Sequence, residues 1–251
     1  MAGIWYRTFR DFFSIRWFWL FPLIAGLSWF LTLTSLLVIW LAVGRPQYPG
    51  QVNPYLPFIS DIAAHEFKPV FVIGCSATGV AFFGTIFSVH HVRYAPNFYG
   101  LTDDAPWRQI VSFIAQIAGI AAAVSLINLS VFDTDDARIR HRHLLMGTFG
   151  GLFASAVTTT AVWWDQIWGP RVFVGLRKWC LFNTALVICQ FGCGLAFVIL
   201  YNSHFKSSAI LEWCLTYVGS FWLASFVGYT MFREGDHPVV EDDAEQQPLL
   251  I

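Results

Sequence analysis

Two loop segments and one position inside an apolar run hold the side chains of this sequence that are able to do chemistry. Asp61, His65 and Glu66 lie close together. Asp133, Asp135, Asp136, Arg138, Arg140, His141, Arg142 and His143 crowd a second short segment, and Glu212 stands between Ile210-Leu211 and Trp213-Cys214. Carboxylates beside histidines are the groups that move protons in acid/base work. His141-x-His143 also has a metal-ligand spacing, but spacing fixes no third ligand, and neither a metal nor another cofactor is expected. No G-x-S-x-G, P-loop or H-E-x-x-H is present. The common hydrolase, nucleotide-binding and zinc-protease routes therefore have no support, and nothing points to nucleic acid.

Glu212 is the most constrained of these residues. A carboxylate about one turn into an apolar run must be protonated or find a cation, and Arg138, Arg140 and His141 are the candidates on topology. Two readings stay open: a structural network that pins loops onto a bundle, and a polar pocket that binds a lipid headgroup or does acid/base work.

The elements that carry these residues follow from composition. Of 251 residues, 56 % are apolar and 12 % charged, against about 25 % charged in an ordinary soluble domain. Spans free of interior charge are expected at about 17–43, 69–89, 109–132, 144–164, 179–203 and 210–232, the last interrupted only by Glu212. Each has about the 20 residues that cross about 30 Å of hydrocarbon. The fold expected is an all-α integral membrane protein, a six-helix up-down bundle, with a cytosolic leader at 1–16 and a disordered cytosolic tail at 233–251. Trp17, Trp19, Trp40, Trp107, Trp163, Trp164, Trp168, Trp179 and Trp213 fall near the span ends, where indoles prefer the headgroup layer.

Lys and Arg set the orientation. With the amino end cytosolic, that side collects Arg7, Arg10, Arg16, Arg93, Arg108, Arg171, Arg177, Lys178 and Arg233. The other side has Arg45, Lys68, Arg138, Arg140, Arg142 and Lys206. The bias favours both termini inside, which puts Asp61, Asp133, His141 and Glu212 together on the exoplasmic face. The first span is too long for a signal-peptide core of about 7–15 residues, so a retained anchor is expected.

Small residues mark where helices approach. Gly147-x-x-x-Gly151-x-x-x-Ser155 and Ala115-x-x-x-Gly119-x-x-x-Ala123 each line one stripe of a span, so those two helices should touch or serve a homo-oligomer. Gln116, Asn128, Asn183 and Gln190 are polar and scattered, as interhelical hydrogen bonds or a conduction path would require. His90, His91, Arg93, Arg171, Arg177 and Lys178 read as boundary flanks that also attract anionic lipid. The five cysteines lie within or at the edge of apolar segments and imply no disulfide framework. Cys180 reads as a buried thiol, with palmitoylation the alternative.

Three stretches together resemble the family that groups the Frag, DRAM and Sfk six-span proteins with the amino-terminal part of Cwh proteins, nearest the fungal Sfk type. They are Asn53-Pro54-Tyr55-Leu56-Pro57-Phe58-Ile59-Ser60-Asp61, Leu129-Ser130-Val131-Phe132-Asp133-Thr134 with His141 beyond it, and Leu211-Glu212-Trp213. The chain departs from the pattern at Ala63-Ala64, where glycine is usual, and at Arg142, where aspartate is common. The resemblance implies that Ser60, Asp61, Asp133, His141 and Glu212 form a shared exoplasmic feature. It also implies a non-enzymatic role in organising membrane lipid or anchoring partners: lipid asymmetry, sterol retention, recruitment of a phosphoinositide kinase complex, or autophagy modulation. A lipid-modifying enzyme of the GPI-anchor remodelling kind is the alternative, and a transporter or channel the second.

The tail Glu245-Gln246-Gln247-Pro248-Leu249-Leu250 is similar to the acidic dileucine address read by clathrin adaptors. Two leucines fill an apolar pocket and the acidic residue meets a basic patch, which works only from the cytosol. Plasma membrane or lysosome/vacuole is the expected location.

Overall fold

Long apolar runs form the helices, and the helices overrun those runs into the charged flanks, as at Arg93 and His141. The computed structural model describes residues 17–51, 53–95, 98–101, 104–132, 137–169, 172–201 and 203–231, without the Phe205 side chain. In chain order the elements are α1 (Leu20–Ala42), α2 (Ile59–Ala63), α3 (Lys68–Tyr94), α4 (Pro106–Val131), α5 (Arg138–Trp163), α6 (Asp165–Trp168), α7 (Val174–Leu200), α8 (Phe205–Ser225) and α9 (Val227–Thr230). Six helices are long and apolar enough to cross a membrane, α6 extending α5 and α9 extending α8. This is the all-α six-helix bundle the composition required.

α1 packs between α3 and α8, α3 continues to α4, α4 lies along α5, and α7 lies along α8. α5 and α7 meet more sparsely, in part through the Phe153 and Phe191 rings, stacked at 5.5 Å. The α4/α5 contact is a close approach of two backbones. A Cβ on Gly151 would lie 2.9 Å from the Ala118 carbonyl oxygen and 3.0 Å from Ala122 Cβ, so glycine is what lets these backbones meet. The small-residue stripes thus face each other within one chain.

The bundle has two poles. At one, Phe18 stacks on Phe98 at 6.5 Å and the Tyr99 hydroxyl donates to the Tyr229 carbonyl at 3.2 Å, so the first and last described spans end at the same side. A large apolar cluster around Phe82, Trp163, Trp222, Phe226 and Tyr229 fills this half. A second cluster, around Leu33, Leu36, Trp40, Ile59, Ile62, Phe71 and Trp213, fills the other half and includes the short helix α2 as a plug. We call that second end the cap.

Candidate functional site

The cap is built from a strap, residues 53–59, laid against the first two turns of α8. Asn53, fully buried, starts it: Asn53 Oδ1 accepts from the backbone N–H groups of Tyr55 (3.0 Å) and Leu56 (3.5 Å), a local turn that sets the chain's direction before Pro57. Asp61 then caps α2 from within, its Oδ2 accepting from the Phe58 N–H at 3.0 Å. His65 Nδ1 lies 3.0 Å from the Asp61 carbonyl oxygen, and the His65 ring sits 4.9 Å from that of Tyr48. Burial first, and the nearby Glu66 charge second, push the Tyr48 phenol above its ordinary range.

Glu212 closes the strap. Its side chain is 7 % exposed, and its Oε2 accepts from the Ile59 N–H at 2.9 Å. Beside it, Trp213 Nε1 donates to the Pro57 carbonyl at 3.1 Å, and the Lys206 ammonium stands 4.7 Å from the Tyr55 ring centre. The cation expected for Glu212 is not Arg138, Arg140 or His141. Arg140 lies over the Phe132 ring at 5.5 Å, and His141 Nδ1 is 2.7 Å from the Phe132 carbonyl oxygen. A backbone N–H at the start of α2 takes the cation's place, because the first N–H groups of a helix have no partner within it. Asp61, of the same sign, sits on α2 two residues beyond the Ile59 N–H that Glu212 accepts from.

Of the residues singled out in the sequence, Ser60 and Asp61 sit on α2 and Glu212 joins them through Ile59. His141 is buried at the start of α5 and is tied to the end of α4. Asp133, and with it the tail residues Glu245, Leu249 and Leu250, lie outside the described residues. No group of three His, Cys, Asp or Glu among the described residues is placed to hold a metal.

The opposite pole holds a polar network that reading the flanks one by one had missed. Arg93, 0 % exposed, puts Nη1 and Nη2 on the two oxygens of Asp165 at 3.1 and 2.9 Å, and its Nε on Asp104 Oδ2 at 2.9 Å. Arg108 bonds the other Asp104 oxygen. One turn deeper, His90 Nδ1 lies 2.7 Å from Ser112 Oγ and its Nε2 3.3 Å from Thr159 Oγ1, joining α3, α4 and α5. Partial burial raises the Asp104 carboxyl, but the hydrogen bonds and charges of Arg93 and Arg108 outweigh it, and the net shift is downward. Two cations and two carboxylates at the ends of successive spans on one side were the available signal. His90 and Arg93 are therefore buried partners within the fold, not flanks open to anionic lipid.

Three of the four mid-span amides bond within the bundle. Gln116 Nε2 and Asn128 Nδ2 each donate to the carbonyl one turn back, at 3.3 and 2.8 Å, and Asn183 Nδ2 donates across to Ser225 Oγ at 2.7 Å. All five cysteines are free, and Cys180 is buried, as the thiol reading required.

A family model described as the Frag1/DRAM/Sfk1/Cwh43P N-terminal domain matches residues 17–229. Among curated proteins, the chain is similar to Protein sfk1 of Schizosaccharomyces pombe, 26 % identical over 219 residues, which cover 86 % of this chain and 63 % of that protein. The chain thus spans less than two thirds of that relative's length. No solved structure matches it.

Proposed function

The chain belongs to the Frag1/DRAM/Sfk1/Cwh43P N-terminal domain family, and from that premise we propose that it is a non-enzymatic multi-pass protein that organises membrane lipid or anchors partners at the membrane. The observation that carries this reading is the Glu212–Ile59 hydrogen bond at 2.9 Å. The buried carboxylate of Glu212 holds a loop in place, as in a scaffold that presents a fixed surface to one leaflet. In this reading both termini are cytosolic, the cap faces the exoplasmic leaflet, and the tail carries a sorting address read by a clathrin adaptor. The compartment is the plasma membrane or the lysosome/vacuole. A membrane-associated kinase complex is the partner class on the cytosolic side, and sterol or phospholipid the lipid on the other.

The test is made in cells that carry wild-type protein, the Asp61→Ala variant or the Glu212→Ala variant, with abundance and the leaflet distribution of lipids measured together. The reading predicts that each variant changes lipid distribution or protein abundance with no loss of a lipid conversion. Normal abundance with abolished turnover of one defined lipid would overturn it in favour of the remodelling enzyme.

A further inference from the structure

Glu212 uses one carboxylate oxygen and leaves the other unused. Oε2 takes the Ile59 N–H, while Oε1 has no hydrogen-bond partner among the described residues. Nor is Oε1 one of the fully enclosed orphan atoms, such as Thr78 Oγ1 and Trp222 Nε1. An ionised carboxylate that is 7 % exposed and lacks a cation is costly, and neutralising it requires a proton or a positively charged ligand. Lys206, on the same helix, stands over the Tyr55 ring instead. Asp61, on the strap's short helix, is a second carboxylate rather than a cation.

Depth and surroundings select the kind of cation. Glu212 lies seven residues into α8, about 10 Å along its axis from Phe205. That is near the boundary between headgroups and hydrocarbon, since each headgroup layer is about 5–8 Å deep. The neighbouring helix α7 has no buried residue from Ile188 to Leu200, and a Cβ on Gly192 or Gly194 would meet nothing within 4 Å. The outer face of α7 is therefore open to lipid along this length. A bare metal ion fits poorly, because the described residues offer no set of three ligands. A quaternary ammonium has no N–H to give Oε1, whereas a primary ammonium has three donors.

We infer that Glu212 Oε1 is the seat of a primary ammonium carried by a membrane-lipid headgroup of the cap-side leaflet. The inference rests on the reading of this protein as a handler of lipid and names the lipid class that the cap takes.

The test uses full-length protein in mild detergent, titrated by native mass spectrometry with phosphatidylethanolamine, its mono- and dimethyl derivatives, phosphatidylcholine of the same acyl chains, and a sterol. Wild type should retain phosphatidylethanolamine over phosphatidylcholine by at least about tenfold, as one charge-assisted hydrogen bond allows. Retention should fall along the methylation series. Glu212→Gln, whose amide oxygen still accepts from Ile59, should melt like wild type and lose the preference. Equal retention of the two headgroups, an unchanged preference in the variant, or a stronger hold on sterol would each overturn the site. Full displacement by equimolar phosphoethanolamine would overturn its lipid character. The methylation series needs no variant, so a misfolded Glu212→Gln leaves the inference testable. Headgroup binding without redistribution in cells would contradict the proposed function and spare the site; redistribution without headgroup preference would do the reverse.

Discussion

Arg93 and Asp165 face each other in a two-pronged pair, Nη1 to Oδ1 at 3.1 Å and Nη2 to Oδ2 at 2.9 Å, with the guanidinium 5.0 Å from the centre of the Trp163 ring. They lie 72 positions apart in the chain. The pair ties the end of α3 to the first residue of α6, and through Asp104 to the start of α4. Removing one member strands the others, whereas removing the charges together does not.

Arg93→Ala should therefore lower stability by about 3–5 kcal/mol, and Arg93→Lys by about 1–3, since an ammonium keeps the charge but not the fork. Thermal unfolding in detergent measures both. Arg93→Met combined with Asp165→Asn should cost clearly less than the sum of the single changes, and strict additivity would mean the pair is not coupled.

Asp104 gives the fold an acid-sensitive contact outside the spans. Its carboxyl is held below its ordinary value, so its contribution is fully present above about pH 4, the unfolded range, and fades as pH falls through the lower folded value. Melting temperature followed downward from neutral pH should drop in the acid region for wild type. Asp104→Asn should be less stable at neutral pH and should show a shallower acid limb.

Adjacent glycines on α5 should respond in opposite ways. A Cβ on Gly151 would press on the Ala118 carbonyl and on Ala122, while one on Gly150 would meet nothing within 4 Å. Gly150→Ala should be neutral or stabilising, gaining up to about 1 kcal/mol of helix propensity. Gly151→Ala should lower the melting temperature despite the same gain, because the opposing atom is backbone and cannot swing away.

Leu249→Ala with Leu250→Ala should move a tagged copy of the protein away from its wild-type compartment, as read by fluorescence microscopy. Unchanged location would retire the sorting address.

The spans were legible because charge-free runs of this length have few other uses. Glu212 was legible as well, being the one charge inside such a run. Its partner was not. Residue types advertise Arg138 or His141, but a backbone N–H at Ile59 has no signature in composition, and only the strap that Asn53 and Pro57 shape brings it within reach. The Arg93 network was hidden for a related reason. Arg93 and Arg108 look like topogenic flanks when each is read alone, and their meaning lies in the matching charges of Asp104 and Asp165, which only the packing of α3, α4 and α5 brings together. The α4/α5 contact needed no such help, since glycines at a four-residue spacing already describe a close-approach surface.

The most direct measurement is a full lipid inventory, with leaflet assignment, of membranes from cells that contain the protein, lack it, or carry Glu212→Gln. A lipid organiser changes where lipids reside and leaves their chemical identities untouched: the account predicts a shift between leaflets with every species still present. Accumulation of one intact lipid and disappearance of its product, in the absence of the protein, would contradict it.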